Sequence, residues 1–232
     1  MPADAMILLA IDTASTLCAA CVYDAGAERE LGRSVEDIGK GHAERLMDVI
    51  AVALSAAGKH YSDLGAIAVS VGPGSFTGIR VGVAAARGLA LALKVPAHGV
   101  TTLSAIAEEA RHTWPARRIL VSIDAKRDEI YVEEHAPDGA IVRGPVIVAV
   151  NDAPALLDGE RPVLAGSGAS VIAAGADPAR FDLAGGAATA DVAVYARLAA
   201  AGRTFNSPPK PLYLRGPDAR PQDGFALPRK AS

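Results

Sequence analysis

The first half of the chain alternates between apolar spacing that is typical of strands and apolar spacing that is typical of helices. Three strand-like segments come first, and the turns between them are short enough to predict an antiparallel meander. Helical and strand-like segments then alternate, which gives the order β-β-β-α-β-α-β-α. The predicted strands are 6–11, 17–23, 29–35, 66–71 and 95–100, and the predicted helices are 42–57, 78–94 and 101–112.

The second half repeats this order in a degenerate form. Strand-like segments at 119–124, 129–135 and 141–150 precede a short helix at 153–157, a strand at 162–165 and a glycine-bearing turn at 166–169. Thr189 is the expected N-cap of a last helix that ends near residue 201. The repeated order predicts a duplicated, two-lobed α/β fold with lobes at 1–103 and 104–202 and a hinge near 100–115.

A proline-rich, basic tail follows at 203–232. Such a tail is either a solvated or loosely docked segment or an arm that contacts a partner or RNA. Both alternatives stay open at the level of sequence.

The amino-acid composition and the net charge exclude some classes of function. Of 232 residues, 50% are hydrophobic and only 4% are aromatic, so the core must be aliphatic. The formal net charge of −3 argues against a protein that grips nucleic acid by itself, because phosphate binding needs a concentrated cationic surface. The N-terminal apolar stretch lacks the basic flank of a signal peptide, and no apolar run reaches about 18 residues. We therefore expect a cytoplasmic protein without a membrane span.

The two cysteines, Cys18 and Cys21, have the spacing C-x-x-C. A redox pair would require a helix N-terminus that lowers a thiol pKa. This segment is strand-like instead, and residues three apart in a strand face opposite sides. The sequence favours two buried structural thiols.

The turn at 72–78 joins a predicted strand to a predicted helix, and it is rich in glycine. Bare backbone N–H groups beside a helix N-terminus suit an anion, but a glycine turn also allows a helix to pack closely on a sheet. Two carboxylates at strand ends are further candidates, as metal–phosphate ligands or as turn formers. The candidate phosphate or nucleotide residues are Asp12, Thr13, Gly72, Gly74, Ser75, Thr77, Gly78 and Asp124.

The two long helices carry apolar or small residues on more than one face. In the second helix a small residue recurs every four positions, at Gly78, Gly82, Ala86 and Ala90. This pattern indicates either a partner surface or burial between the sheet and a neighbouring helix. The five histidines never fall within four residues of one another, and no serine nucleophile motif is present, so we predict no metal site and no catalytic residue.

Over nearly its whole length the chain resembles the bacterial TsaB (YeaZ) family, non-catalytic paralogues of TsaD in the actin/Hsp70/sugar-kinase superfamily. The segment 69–82, VSVGPGSFTGIRVG, is the longest and most specific match. The other matching segments are 8–14 (LLAIDTA), 42–44 (HAE), 88–90 (GLA), 100–103 (VTTL), 122–127 (SIDAKR) and 211–215 (PLYLR).

The resemblance implies an actin-like (RNase H-like) fold and specific positions in it. TsaD carries a metal-binding motif on the helix where this chain has Thr102 and Ile106, neither of which supplies an imidazole. The hairpin at 12–15 lacks the glycines with which superfamily ATPases approach phosphate. The two first-lobe helices become the expected contact with TsaD, and the interface residues predicted on them are Leu46, Ile50, Leu54, Arg80, Val83 and Arg87.

The resemblance also implies a function. It predicts a scaffold that binds and activates TsaD, which makes threonylcarbamoyladenosine next to the anticodon of ANN-decoding tRNAs. TsaE, an accessory ATPase, would join this complex, tRNA would be reached only through it, and a homodimer would form when TsaD is missing. No tightly bound cofactor is expected, and ATP or ADP would bind weakly or only in the complex. The alternative is an independent small ATPase or metallopeptidase-like enzyme of the same superfamily.

Overall fold

The computed structural model describes residues 6–215, in which ten strands form two five-stranded sheets. In the first sheet β1 pairs antiparallel with β2 and parallel with β4, so it lies at the centre and is buried along its whole length. The strand order is β3-β2-β1-β4-β5. These strands are β1 (Ile7–Asp12), β2 (Leu17–Asp24), β3 (Arg29–Asp37), β4 (Leu64–Ser70) and β5 (Ala97–Val100).

The second sheet repeats this topology around a new central strand. Its order is β10-β9-β6-β7-β8, with β6 antiparallel to β7 and parallel to β9. The strands are β6 (Ile119–Lys126), β7 (Glu129–His135), β8 (Ile141–Ala149), β9 (Val163–Ala165) and β10 (Asp182–Gly185). The predicted duplicated, two-lobed α/β fold is confirmed, and β10 is the strand that the sequence pattern missed.

Helices cover the outer face of each sheet unequally. The first sheet is covered by α1 (His42–Ala56) and α2 (Phe76–Leu93), whose apolar stripes pack on its buried side chains. The second sheet is covered by a 3-10 segment, Val150–Leu157, and by the six-residue α4 (Ala169–Ala174).

Two further helices fill the space between the sheets. The helix α3 (Thr102–Thr113) packs on the second sheet, whereas α5 (Val192–Ala200) packs on β1, β2, β4 and β5 of the first. Side chains of both helices and both sheets form one central core. The range predicted for the second lobe, 104–202, thus includes a helix that covers the first sheet. Asp191 caps α5 by accepting from the Ala193 N–H at 2.8 Å, so the predicted cap at Thr189 is wrong.

The two cysteines lie on opposite faces of β2. Cys18 belongs to the core beneath α1 and α2, and Cys21 belongs to the central core. Both are free thiols, and burial raises both pKa values, that of Cys18 to about 11. The prediction of two structural thiols is confirmed.

Among the described residues, α2 alone has the length and mean hydropathy of a membrane-spanning helix. It also carries Arg80 and Arg87, which are costly at the centre of a bilayer, and its inner side packs on β4. Those features are typical of a helix that lies against a sheet.

Residues 203–215, which we call the strap, run back along the first sheet. The backbone of Phe205 and Asn206 pairs with Gly99 at the edge strand β5, with N–H to O distances of 2.7 and 2.8 Å. Arg203 forms an ion pair with Glu108 of α3 at 2.7 Å. This part of the predicted tail is therefore docked on the fold, and residues 216–232 lie outside the described residues.

Candidate functional site

The glycine turn brings the start of α2 against the β1–β2 hairpin. A Cβ on Gly78 would lie 2.0 Å from the Thr13 carbonyl oxygen, and one on Gly82 would lie 2.4 Å from Thr13 Oγ1. Thr13 is fully buried, and its hydroxyl donates to the Gly78 carbonyl at 2.8 Å. Close packing of helix on hairpin thus accounts for the small residues at the beginning of this helix.

The remaining residues of the turn surround this contact. Gly72 is buried with a φ of 94°, and a Cβ there would meet Ile79 Cδ1 at 2.7 Å. Gly74 approaches the Ala14 carbonyl so closely that a Cβ would lie 2.2 Å from its oxygen. Thr77 is exposed on the first turn of α2. Gly74 therefore requires glycine for its close approach to the Ala14 backbone, and Gly72 requires it for its positive φ.

Four of the backbone N–H groups at the turn and the hairpin have internal acceptors. At the turn, the Ser75 N–H donates to the Ala14 carbonyl at 2.7 Å, and the Gly78 N–H donates to Ser75 Oγ at 3.2 Å. At the hairpin, the Ala14 N–H donates to Asp12 Oδ1 at 2.9 Å and the Leu17 N–H to Ser15 Oγ at 3.1 Å. An anion that bound to these four N–H groups would have to displace these bonds, which opposes a phosphate cradle built from them.

Asp12 is enclosed at the end of β1. Its second carboxylate oxygen accepts from Thr189 Oγ1 at 2.7 Å, and Thr189 in turn lies 2.7 Å from the Tyr195 hydroxyl of α5. Burial raises the pKa of Asp12, against the opposing effect of its hydrogen bonds. The carboxylate therefore ties the hairpin to the segment before α5, and it is not open to a ligand.

Asp124 occupies the equivalent place at the end of β6, but in a different environment. Both aspartates accept from the N–H two residues later, here that of Lys126 at 2.8 Å. The Lys126 ammonium also lies 2.6 Å from Asp124 Oδ2, and these bonds lower the pKa of the carboxyl. Asp124 lines the space between the lobes, whereas Asp12 does not.

A cleft of about 1430 Å³ separates the two hairpins. Its walls include residues 14–17, 73–76, 79–80, 123–126, 187–189 and the strap residues 211–215. Three cations face it, and each has a partner: Arg80 donates to the Tyr213 hydroxyl, Lys126 pairs with Asp124, and Arg215 pairs with Glu129. Within residues 6–215, no group of three His, Cys, Asp or Glu side chains comes together as a metal site.

The two positions at which the family resemblance predicts loss of metal ligands lie on α3. Thr102 and Ile106 are both buried, and Ile106 packs in the central core. A hydroxyl and a hydrocarbon at these positions give a divalent transition metal no imidazole ligand.

The predicted interface on the long helices needs a correction. Leu46, Ile50, Leu54 and Val83 are buried in the first-lobe core, because the regular apolar stripe of each helix faces the sheet. Arg80 and Arg87 are exposed, as predicted.

The exposed apolar side chains on these helices are different residues. They are Met47 and Val52 on α1 and Phe76 and Leu91 on α2, with 47%, 53%, 60% and 82% exposure. They could have been found as apolar positions that fall outside the regular stripe of each helix.

Three comparisons place the chain among known proteins. A family model described as TsaD, tRNA N6-adenosine threonylcarbamoyltransferase, matches residues 34–153. The tRNA threonylcarbamoyladenosine biosynthesis protein TsaB of Escherichia coli K12 is 36% identical over 57% of this chain and 56% of its own length. An uncharacterized protein of Mycobacterium tuberculosis H37Rv is 36% identical over 92% of this chain and 94% of its own length.

A solved structure extends the likeness to the whole fold. YeaZ from Pseudomonas aeruginosa superposes with a TM-score of 0.74 and 27% identity, covering 90% of this chain and all of that one. The sequence matches to two curated relatives cover less of those proteins. They span 56% of the Escherichia coli protein and 63% of TsaB from Buchnera aphidicola subsp. Schizaphis graminum. With its duplicated lobes and its TsaD-type match over half its length, the chain belongs to the TsaB/YeaZ family, with an actin-like fold.

Proposed function

We propose that this chain is a non-catalytic subunit in the synthesis of threonylcarbamoyladenosine in tRNA, and that it binds and activates TsaD through the exposed faces of α1 and α2. The names of the curated relatives support the process. The exposed apolar surface on the two helices supports the mode of action.

That surface has the features of a helix-packing interface. Leu91 projects into solvent, and on the same side of α2 a Cβ on Gly88 would meet nothing within 4 Å. A partner helix can approach closely over the small residues Ala84 and Gly88. Met47 and Val52 are further exposed apolar side chains on α1. Arg80 and Arg87 would supply polar contacts at its edge. The same face suits a second copy of the chain when TsaD is missing.

The proposal assigns no catalytic step to this chain. Asp12 is enclosed by hydrogen bonds, and the N–H groups of Ala14 and Ser75 have internal acceptors. These contacts oppose an independent ATPase, and we expect ATP or ADP to bind weakly or only in the complex. We expect TsaE to join the assembly, tRNA to be reached only through it because of the net charge of −3, and the protein to reside in the cytoplasm.

The test is gel filtration with light scattering of this chain, alone and with TsaD from the same genome, with and without ATP. The wild-type chain should form a one-to-one heterodimer. Leu91→Glu should weaken it by roughly 30-fold or more, because a carboxylate would be buried at the centre of the apolar contact. The matched control is Leu183→Glu on β10, which places the same charge at an exposed leucine of the second lobe.

Two outcomes would contradict the proposal. If Leu91→Glu and Leu183→Glu bind TsaD equally well, the interface lies elsewhere. If no complex forms and the isolated chain binds ATP at micromolar concentration and hydrolyses it, with loss of binding in Asp12→Ala, the enzyme alternative replaces the proposal.

A further inference from the structure

The strap joins the first lobe through backbone hydrogen bonds along an edge of its sheet. Beyond the pairing of Phe205 and Asn206 with Gly99, the Ser207 hydroxyl donates to the Ala97 carbonyl at 2.9 Å. A Cβ on Gly99 would lie 2.3 Å from Asn206 Oδ1, so this strand is shaped to receive the strap. The beginning of the strap is thus fixed to the rim of the first sheet.

The middle of the strap is fixed to the start of α2. The Leu212 N–H donates to the Val71 carbonyl at 2.8 Å, and the next residue, Tyr213, accepts from Arg80 Nε at 2.9 Å. The Arg80 guanidinium lies 3.6 Å from the centre of the Phe76 ring and 5.5 Å from that of Tyr213. Two exposed aromatic rings and a cation therefore meet at the mouth of the cleft.

The end of the strap reaches the second lobe. Arg215 forms an ion pair with Glu129, and its guanidinium lies 3.4 Å from the Lys126 carbonyl. Both acceptors belong to the β6–β7 hairpin, in which Lys126 and Glu129 are paired residues. A segment that is fixed along the first lobe thus crosses the cleft and ends on the hairpin of the other lobe.

We propose that residues 211–215 are a latch that sets the width of the cleft between the lobes. The shared core of α3 and α5 holds the lobes together at the closed side, and the latch adds a contact at the open side. The chain's own strap thus bridges the mouth of the cleft. This inference concerns the isolated chain and is independent of binding to TsaD.

The experiment measures the distance between the lobes by pulsed electron paramagnetic resonance. Spin labels are placed at Thr16→Cys in the first-lobe hairpin and at Asp152→Cys in the second lobe, both exposed positions. The native thiols of Cys18 and Cys21 are buried and should stay unlabelled in the folded chain. The full-length chain is used throughout.

The decisive variant is Arg215→Ala, which should shift the distance distribution to longer values and broaden it. The matched control is Arg203→Ala, which removes an ion pair at the other end of the strap without touching the second-lobe hairpin. The charge-swapped pair Arg215→Glu with Glu129→Arg should restore the parent distribution, a rescue that a merely unfolded variant would not show.

Hydrogen exchange gives a second readout. In Arg215→Ala, the amide of Leu212 should exchange about two- to fivefold faster than in the parent chain, the range expected for loss of a partly exposed ion pair. Unchanged distances and unchanged exchange in Arg215→Ala would overturn the latch, whether or not the chain binds TsaD. So would an equal effect of Arg203→Ala.

Discussion

The two lobes share one sheet topology and differ in what covers it. In each lobe the strands follow the same order around a central strand, β1 or β6. The first lobe is covered by helices of 15 and 18 residues, the second by an eight-residue 3-10 segment and a six-residue helix. The sheet is the conserved element of the duplication. The long helices of the first lobe leave apolar side chains exposed, so a partner surface can exist there without altering either sheet.

The same divergence appears at the two hairpins. Asp12 and Asp124 end equivalent strands and make the same turn hydrogen bond. Burial raises the pKa of the first, whereas bonds to Lys126 lower the pKa of the second. Equivalent positions in a duplicated fold can therefore hold opposite electrostatic environments.

The largest effect is expected from removing core volume beneath the helices. Ile50→Ala should lower the free energy of unfolding by about 4 kcal/mol and Ile172→Ala by about 2 kcal/mol, although both side chains are buried. Ile50 is enclosed by long helices and a sheet, whereas Ile172 borders a hollow of about 480 Å³ beside the 3-10 segment. Urea denaturation of both variants measures the difference. Equal losses would mean that the second-lobe cover is packed as tightly as the first.

The next comparison uses two glycines of one helix. Gly78→Ala should destabilise the protein by about 3 kcal/mol, because its Cβ would overlap the Thr13 backbone. Gly88→Ala, at an open position, should stabilise it by about 0.5–1 kcal/mol through helix propensity. Thermal and urea unfolding test both. If Gly78→Ala left the free energy of unfolding unchanged, the hairpin and the helix would not be in close contact.

The smallest effect is the dependence of stability on pH. The pKa of Asp12 is higher in the folded protein than its ordinary value of 3.8. Its protonation therefore stabilises the folded protein fully below pH 3.8, and this stabilisation is lost as the pH rises through the folded-state pKa. The free energy of unfolding of Asp12→Asn should thus increase relative to that of the parent protein as the pH rises through this range.

For Asp124 the sign is opposite. The pKa of Asp124 is lowered in the folded protein, so its ionised carboxylate stabilises the fold above pH 3.8, and this stabilisation is lost as the pH falls through the folded-state pKa. Asp124→Asn should therefore be less stable than the parent near neutral pH and equally stable in acid. Unfolding curves across pH measure both differences. If the stability of both variants changed with pH in the same direction relative to the parent, the two hairpins would not differ in their electrostatic environment.

The architecture could be predicted from sequence because hydrophobic periodicity encodes it directly. Strands with buried runs and the stripes of α1 and α2 gave the element order and the duplication. The strand β10 escaped notice because it has only four residues, Asp-Leu-Ala-Gly, and three of them are exposed. Thr189 resembled a helix cap because capping residues and buried hydroxyl partners are the same residue types.

The candidate site was less predictable, since it depends on which face of a helix meets the sheet. Leu46 and Val83 belong to a regular stripe, which the fold buries, while Leu91 and Val52 become exposed only because the sheet lies on the other side. The docking of the strap on the first lobe could not be predicted from the sequence either. It depends on a contact between Asn206 and Gly99, which are more than a hundred residues apart.

The position of α5 has a consequence for the order in which the protein can form during synthesis. The inner face of the first sheet, with Leu8, Ala10, Ala66, Ala68 and Val100, is covered by a helix that begins only at residue 192. A ribosome would release the whole first sheet before its cover exists. The nascent first lobe therefore carries an uncovered apolar face until residues 192–200 have emerged, and such a face is prone to aggregation.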